Sequence, residues 1–256
     1  MCEIDAFDLA AFSLAAASAD SERYGYVVTP NADHLLRYYE DQSFRSLYRS
    51  AAYVLLDSRA VALALRMLTG EHFPVCPGSE LTVELLRSVA RPADRILLIG
   101  GGEAQARHIA TTYGLANVRH HNPPMGFIDD ATATESCLGF IEAQSPFRFC
   151  FLAVGSPQQE AIAQRLQARG KARGLVLCVG AALNFIGGFE RRAPRWMQRL
   201  ALEWLYRLLQ DPRRMARRYL LRGPRILAHL LHGRLALSPR RSAALAAAHT
   251  TDETMC

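Results

Sequence analysis

Phe147-Arg148-Phe149-Cys150-Phe151-Leu152-Ala153-Val154-Gly155-Ser156-Pro157-Gln158-Gln159-Glu160 is the stretch on which the fold turns. A nearly unbroken apolar run stops at a Gly-Ser-Pro turn and gives way to amide and carboxylate side chains. A short strand that is apolar along its whole length is covered on both faces, and the polar residues that follow mark its carboxyl end and a helix start. The same pattern recurs at Tyr24 to Thr29, Tyr53 to Leu56, Arg95 to Ile99 and Leu175 to Val179. Helical spacing fills the gaps: Asn31 to Arg49 carries Leu35, Tyr38, Tyr39 and Leu47, and Ser79 to Val89 carries Leu81, Leu85 and Leu86. Buried strands alternating with crossover helices predict an α/β domain, a Rossmann-like parallel sheet covered by helices on both faces, spanning 1–190.

The 256 residues, half of them hydrophobic, suffice for a large folded core. Charge is uneven. From Arg191 to Arg234 twelve arginines face only Glu203 and Asp211, a local +10 that leaves −4 for the rest of a chain whose total is +6. Strand signals stop after Pro194, and Asp211-Pro212 reads as an N-cap with a first-turn proline. Beyond it Arg213, Arg214, Arg217, Arg218 and Arg222 share one side of a helical wheel. Residues 191–237 therefore form a C-terminal helical basic appendage suited to phosphate or an anionic membrane surface, and 238–256 a flexible tail. All basic residues but Lys171 are arginine, whose planar fork matches phosphate and carboxylate oxygens. The six cysteines are scattered without a C-x-x-C pair and read as free thiols. No apolar run approaches the ~20 residues of a membrane span, and the Met1-Cys2-Glu3-Ile4-Asp5 start is acidic where a secretory signal is basic.

In open parallel sheets ligands gather beyond the carboxyl ends of the strands, so the residues after each apolar run are the site candidates. Asp57 follows Tyr53-Val54-Leu55-Leu56 and reads either as a cap for the next helix or as a proton acceptor at a strand tip. Thr29 and Asn31 are its neighbours across the sheet, or the turn and N-cap that Thr-Pro-Asn commonly makes. Gln158-Gln159-Glu160 after a Gly-x-Pro turn suits sugar hydroxyls, or simply starts a helix. Gly100-Gly101-Gly102 lacks the G-x-G-x-x-G spacing of a dinucleotide fingerprint. Asp129-Asp130 reads as a solvated or capping pair, His120-His121 as structural, and no His or Cys cluster points to a metal.

Thr29-Pro30-Asn31-Ala32-Asp33-His34, Asp57, Pro77-Gly78-Ser79-Glu80-Leu81, Pro123-Pro124-Met125-Gly126-Phe127, Gly155-Ser156-Pro157-Gln158-Gln159-Glu160, Arg192-Ala193-Pro194-x-Trp196 and Leu202-Glu203-Trp204-Leu205-Tyr206-Arg207-Leu208 occur in order. Together they resemble the WecG/TagA/CpsF glycosyltransferase family. The resemblance implies a GT-E fold and an inverting transfer, without metal or other cofactor, from a UDP-sugar to a polyprenyl-diphosphate-linked saccharide in surface-glycan synthesis. It further implies that Asp57 is the general base and that Thr29, Asn31, Gln159 and Glu160 bind substrate. Arg207, Arg214 and Arg217 would close over the site from the appendage and hold phosphates. Docking is expected at the inner face of the bacterial plasma membrane, on the cytoplasmic side, with no nucleic acid as partner and a homo-oligomer compatible. Ser58 stands where many members have Gly, and an Arg often found before the Gly-x-Asp/Glu-Leu element is absent from Phe73 to Gly78. Both departures touch the sugar pocket, which leaves N-acetylmannosamine, its uronate and glucose open as donor sugars. Outside this resemblance, the basic segment is compatible with a membrane- or nucleic-acid-binding adaptor and the Gly100 loop with a nucleotide-dependent oxidoreductase.

Overall fold

A computed structural model describes residues 2–186, 203–210 and 237–240, together with Pro194, Met197, Arg225 and His229. Along the chain run β1 (Cys2–Asp5), α1 (Leu9–Ala17), β2 (Tyr24–Val28), α2 (Ala32–Glu40), α3 (Gln42–Arg49), β3 (Tyr53–Val54) and α4 (Arg59–Thr69). They are followed by α5 (Gly78–Glu84), β4 (Ile96–Ile99), α6 (Glu103–Thr112), β5 (Val118–His121), α7 (Ala131–Ala143) and β6 (Phe149–Leu152). Then come α8 (Gln158–Arg169), β7 (Gly174–Cys178), α9 (Ala182–Ile186), α10 (Glu203–Gln210) and β8 (Leu237–Arg240). The α/β class and the parallel sheet expected from the apolar runs are present.

Six strands form one parallel sheet in the order β3-β2-β7-β6-β4-β5. Register aligns Val54, Val28, Cys178, Leu152, Ile99 and His121 in one row, so the polar segments after the strands emerge along a single edge. Alternate strand residues point to opposite faces. Val28, Val54, Leu152 and Cys178 pack with Leu35, Phe44, Val61, Leu138 and Ile162 of α2, α3, α4, α7 and α8. Val27, Phe151 and Leu177 pack with Phe12, Leu81, Ile109 and Leu183 of α1, α5, α6 and α9 on the other face. The chain leaving β2 therefore turns to one face and the chain leaving β7, its neighbour, turns to the other. Such a divergence opens a crevice at the strand ends.

Three local expectations change. The helical pattern 31–49 is two helices, because Asp41 accepts the N–H groups of Ser43 at 2.8 Å and Phe44 at 3.2 Å and so caps α3 with extended backbone. The helix after Gly78 ends in a π-helical turn, Leu85–Val89. Ser238 to Arg240, expected at the start of the tail, instead pair in parallel with Glu3 to Asp5 as part of β8. Of the expected appendage, α10 is described in its backbone. Arg214, Arg217 and the side chain of Arg207 lie outside the described residues. Cys2, Cys76, Cys137, Cys150 and Cys178 are free and buried, and burial pushes the thiols of Cys2, Cys76 and Cys137 up to about 12. Among the described residues no helix is long and apolar enough to cross a membrane.

Candidate active site

The crevice is built from Asp57 outward. The hydroxyl of Ser58, not the Asp57 carboxylate, caps α4 by accepting the Val61 N–H at 3.2 Å. The cap of α4 is therefore Ser58, and the Asp57 carboxylate turns to the neighbouring loops instead. The Asp57 N–H donates to the Pro30 carbonyl at 3.0 Å, and its Oδ1 accepts the Gly78 N–H at 2.8 Å. The carboxylate is thus held between the loop after β2 and the start of α5, half-buried at the strand end.

Gly78 also touches Thr29. A Cβ added at Gly78 would lie 2.9 Å from Thr29 Oγ1, closer than a side chain tolerates. Thr29 is buried, and its hydroxyl donates to the Cys178 carbonyl at 3.0 Å, tying the end of β2 to the end of β7. Asn31 caps α2, its Oδ1 accepting from Asp33 N–H at 3.0 Å and His34 N–H at 3.3 Å. The alternative of turn and N-cap therefore holds for Asn31, while Thr29 and Asp57 meet through Gly78.

Gln159 joins from the far side of β7. Its Oε1 accepts the Gly180 N–H at 2.9 Å, and its Nε2 donates to Glu160 Oε1 at 2.9 Å. Gln159 is 2 % exposed and Glu160 has no exposed surface, so both sit beneath the crevice wall. Burial raises the Glu160 carboxyl above the usual range, against the opposing effects of the Gln159 amide, its own backbone N–H, the Ser156 hydroxyl and the Arg37 charge.

Neighbouring features have structural duties. His120 Nε2 lies 3.2 Å from the carbonyls of Gly100 and Gly101 and braces that turn, while Gln105 Oε1 accepts the Gly102 N–H at 2.8 Å. His121 stacks on Phe140 with centroids 5.0 Å apart, and burial followed by the neighbouring His120 lowers its pKa. Asp130 caps α7 through the N–H groups of Thr132 and Ala133. Among the described residues no group of three or more His, Cys, Asp or Glu side chains is placed to hold a metal ion.

Residue-by-residue reading of the sequence missed the Arg59–Glu80 pair. Arg59 Nη2 reaches both Glu80 oxygens at 2.8 Å and braces the start of α4 against α5 beside Asp57. It also missed Arg37, whose charge favours ionised Glu160. Neither has a sequence signal, since each partnership joins residues on different elements.

A half-buried carboxylate at the strand ends, held by the Gly78 N–H, has the chemistry to take a proton from an alcohol. Comparison with known proteins points the same way. Over 196 residues, 75 % of this chain and 74 % of the relative, it is 27 % identical to the N-acetylglucosaminyldiphosphoundecaprenol N-acetyl-beta-D-mannosaminyltransferase of Staphylococcus aureus strain MRSA252. It is 26 % identical over the same shares to the enzyme of that name from strain MW2. The model of the glycosyl transferase WecG/TagA/CpsF family matches residues 2–240, a span that takes in the strand at each end, and this chain is a glycosyltransferase of that family.

Proposed function

We propose that the chain moves a hexose or N-acetylhexosamine, of the N-acetylmannosamine, N-acetylmannosaminuronate or glucose type, from a UDP-sugar to a polyprenyl-diphosphate-linked saccharide in bacterial exopolysaccharide or surface-glycan synthesis. The names of the S. aureus relatives support the acceptor class. The observation that carries the mechanism is the Asp57 carboxylate at the strand end, with α4 capped by Ser58 and Asp57 Oδ1 accepting the Gly78 N–H. In the reaction the acceptor hydroxyl gives its proton to the Asp57 carboxylate as its oxygen bonds to the anomeric carbon. The bond from that carbon to the UDP oxygen breaks on the opposite side, its electron pair leaves with the diphosphate, and the anomeric configuration inverts. Thr29 and Asn31 stand beside Asp57 at the same pocket, and Gln159 supports it from beneath its wall. Arg207, Arg214 and Arg217 offset the charge that grows on UDP, in place of a metal.

The lipid-linked acceptor calls for peripheral docking at the inner face of the plasma membrane. The basic segment, together with Leu209, which is 71 % exposed on α10, suits that role. Purified protein assayed with UDP-sugars and a lipid-linked N-acetylglucosamine acceptor tests the reading. Asp57→Ala is expected to lower kcat by ~10²–10⁴-fold, the usual scale of base catalysis, while UDP affinity stays within about threefold. Undiminished turnover would remove Asp57 as the base, and turnover abolished by a chelator would overturn the metal-free scheme.

A further inference from the structure

Glu160 lies in the first turn of α8 with no exposed surface. Its Oε2 and the Ser156 hydroxyl are both buried without a partner at hydrogen-bonding geometry, although that hydroxyl still favours the anion at longer range. A buried acid of this kind costs free energy that an apolar residue of similar volume would not. Around it stand Tyr26 of β2, Tyr48 of α3 and Cys178 of β7, each pushed further towards its neutral form by the Glu160 charge, with Arg37 of α2 as the opposing cation. Core packing alone gives no reason for a carboxylate in this place.

Its geometry supplies one. A carboxylate only accepts hydrogen bonds, so the Gln159 group facing Oε1 at 2.9 Å is the NH₂ end of the amide. The oxygen end is thereby turned to the Gly180 N–H, also at 2.9 Å. The reverse orientation would set NH₂ against N–H and leave Glu160 facing an oxygen. Gly180 makes the left-handed turn out of β7 at φ 56°, two residues beyond the Cys178 carbonyl that receives the Thr29 hydroxyl. Thr29 in turn abuts Gly78, whose N–H holds Asp57.

We propose that Glu160 is a positioning residue and not a substrate contact, orienting the Gln159 amide and through it fixing the Gly180 turn that walls the crevice. Its link to catalysis rests on the glycosyl-transfer reading of that crevice, whereas its effect on Gly180 does not. Gly180 amide hydrogen exchange followed by NMR, and kcat in the lipid-linked acceptor assay, are measured for E160M, Q159L, the E160M/Q159L double variant and E160Q. In E160M and Q159L, exchange at Gly180 is expected to quicken and kcat to fall by about tenfold or more each, the scale of one lost buried hydrogen bond, with UDP affinity within about threefold. The double variant is expected to be no slower than either single one, because both act through one link. E160Q keeps the volume and an accepting oxygen, so it should retain Gly180 protection and restore kcat to within about threefold of wild type.

Wild-type protection and turnover in E160M, or losses that multiply in the double variant, would overturn the proposal. If E160M does not fold, E160Q decides, since a tenfold loss of kcat with Gly180 still protected would mean that the carboxylate itself touches the reaction. If the wild-type protein transfers no sugar, the proposed function fails, and the exchange data alone then uphold or reject the positioning role.

Discussion

Gly78 shows how narrow the tolerances are at the level of single residues. Its N–H anchors Asp57 and its missing side chain leaves room for Thr29, so one atom added there acts on both. Gly78→Ala places a Cβ 2.9 Å from Thr29 Oγ1, and Thr29 cannot yield without stretching its bond to Cys178. Overpacking of this kind costs about 1–3 kcal/mol, and part of that strain falls on the Asp57 contact. The expected result is a kcat reduced about tenfold or more with a melting temperature only a few degrees lower, read by the acceptor assay and a thermal melt. Equal activity in Gly78→Ala would show that Thr29 and Asp57 are not mechanically joined. The sequence made Asp57, Thr29 and Gln159 visible because each follows a strand that is apolar throughout. It could not separate the two uses of Asp57, since Asp and Ser are both good N-caps and only the placed atoms show which one caps α4.

At the level of elements, the strands were readable where burial on both faces forced a continuous apolar run: β2, β3, β4 and β6 fall within the expected segments, and β7 begins one residue ahead of its own. Helix punctuation was harder. The apolar spacing of 31–49 continues smoothly across Asp41, but the side chain there competes for the backbone and starts a second helix. The Ser43 hydroxyl and the N–H groups of Phe44 and Ser43 hold the Asp41 carboxyl below its ordinary pKa. A depressed folded-state pKa contributes stability that is present above the unfolded pKa and lost as pH falls through the folded one. Asp41→Ala should therefore melt below wild type at pH 7, and the gap should narrow at an acidic pH below the ordinary carboxylate range, as the wild-type carboxyl passes through its depressed folded-state pKa. Melts at the two pH values check this, and a gap unchanged by pH would mean that the cap does not depend on the charge. Turnover is expected to stay near wild type, because Asp41 lies at the opposite end of α2 from the cap formed by Asn31.

Across the whole molecule, the segment that carries Asp57 is secured by both ends of the described chain. β3 is a two-residue edge strand paired on one side with β2. On its other side the buried Asp5 of β1 accepts the Val54 N–H at 2.7 Å, and Arg240 of β8 stands 3.8 Å from Asp5 while donating to the Ala51 carbonyl at 2.9 Å. This clasp had no signal in the sequence: β1 and β8 are four residues each, β8 contains Pro239, and neither has a partner nearer than the other end of the chain. Burial raises the Asp5 carboxyl, with the Val54 N–H and then Arg240 acting against it. A raised folded-state pKa gives stability that is fully present below the unfolded value and lost as pH rises through the folded one, so the buried charge is a cost at neutral pH that Arg240 reduces. Arg240→Met should raise the Asp5 pKa further and destabilise the fold at pH 7 by about 1–2 kcal/mol, less than a fully buried pair because the arginine is partly exposed. As pH falls through the raised folded-state pKa and Asp5 takes up its proton, the deficit should shrink to the lost Ala51 contact. Because β3 leads directly into Asp57, thermal inactivation of transfer at pH 7 should move down in step with the melt. A pH-independent deficit would assign the role of Arg240 to packing instead of charge, and inactivation that stayed in place while the melt moved would separate the clasp from the strand that aims the base.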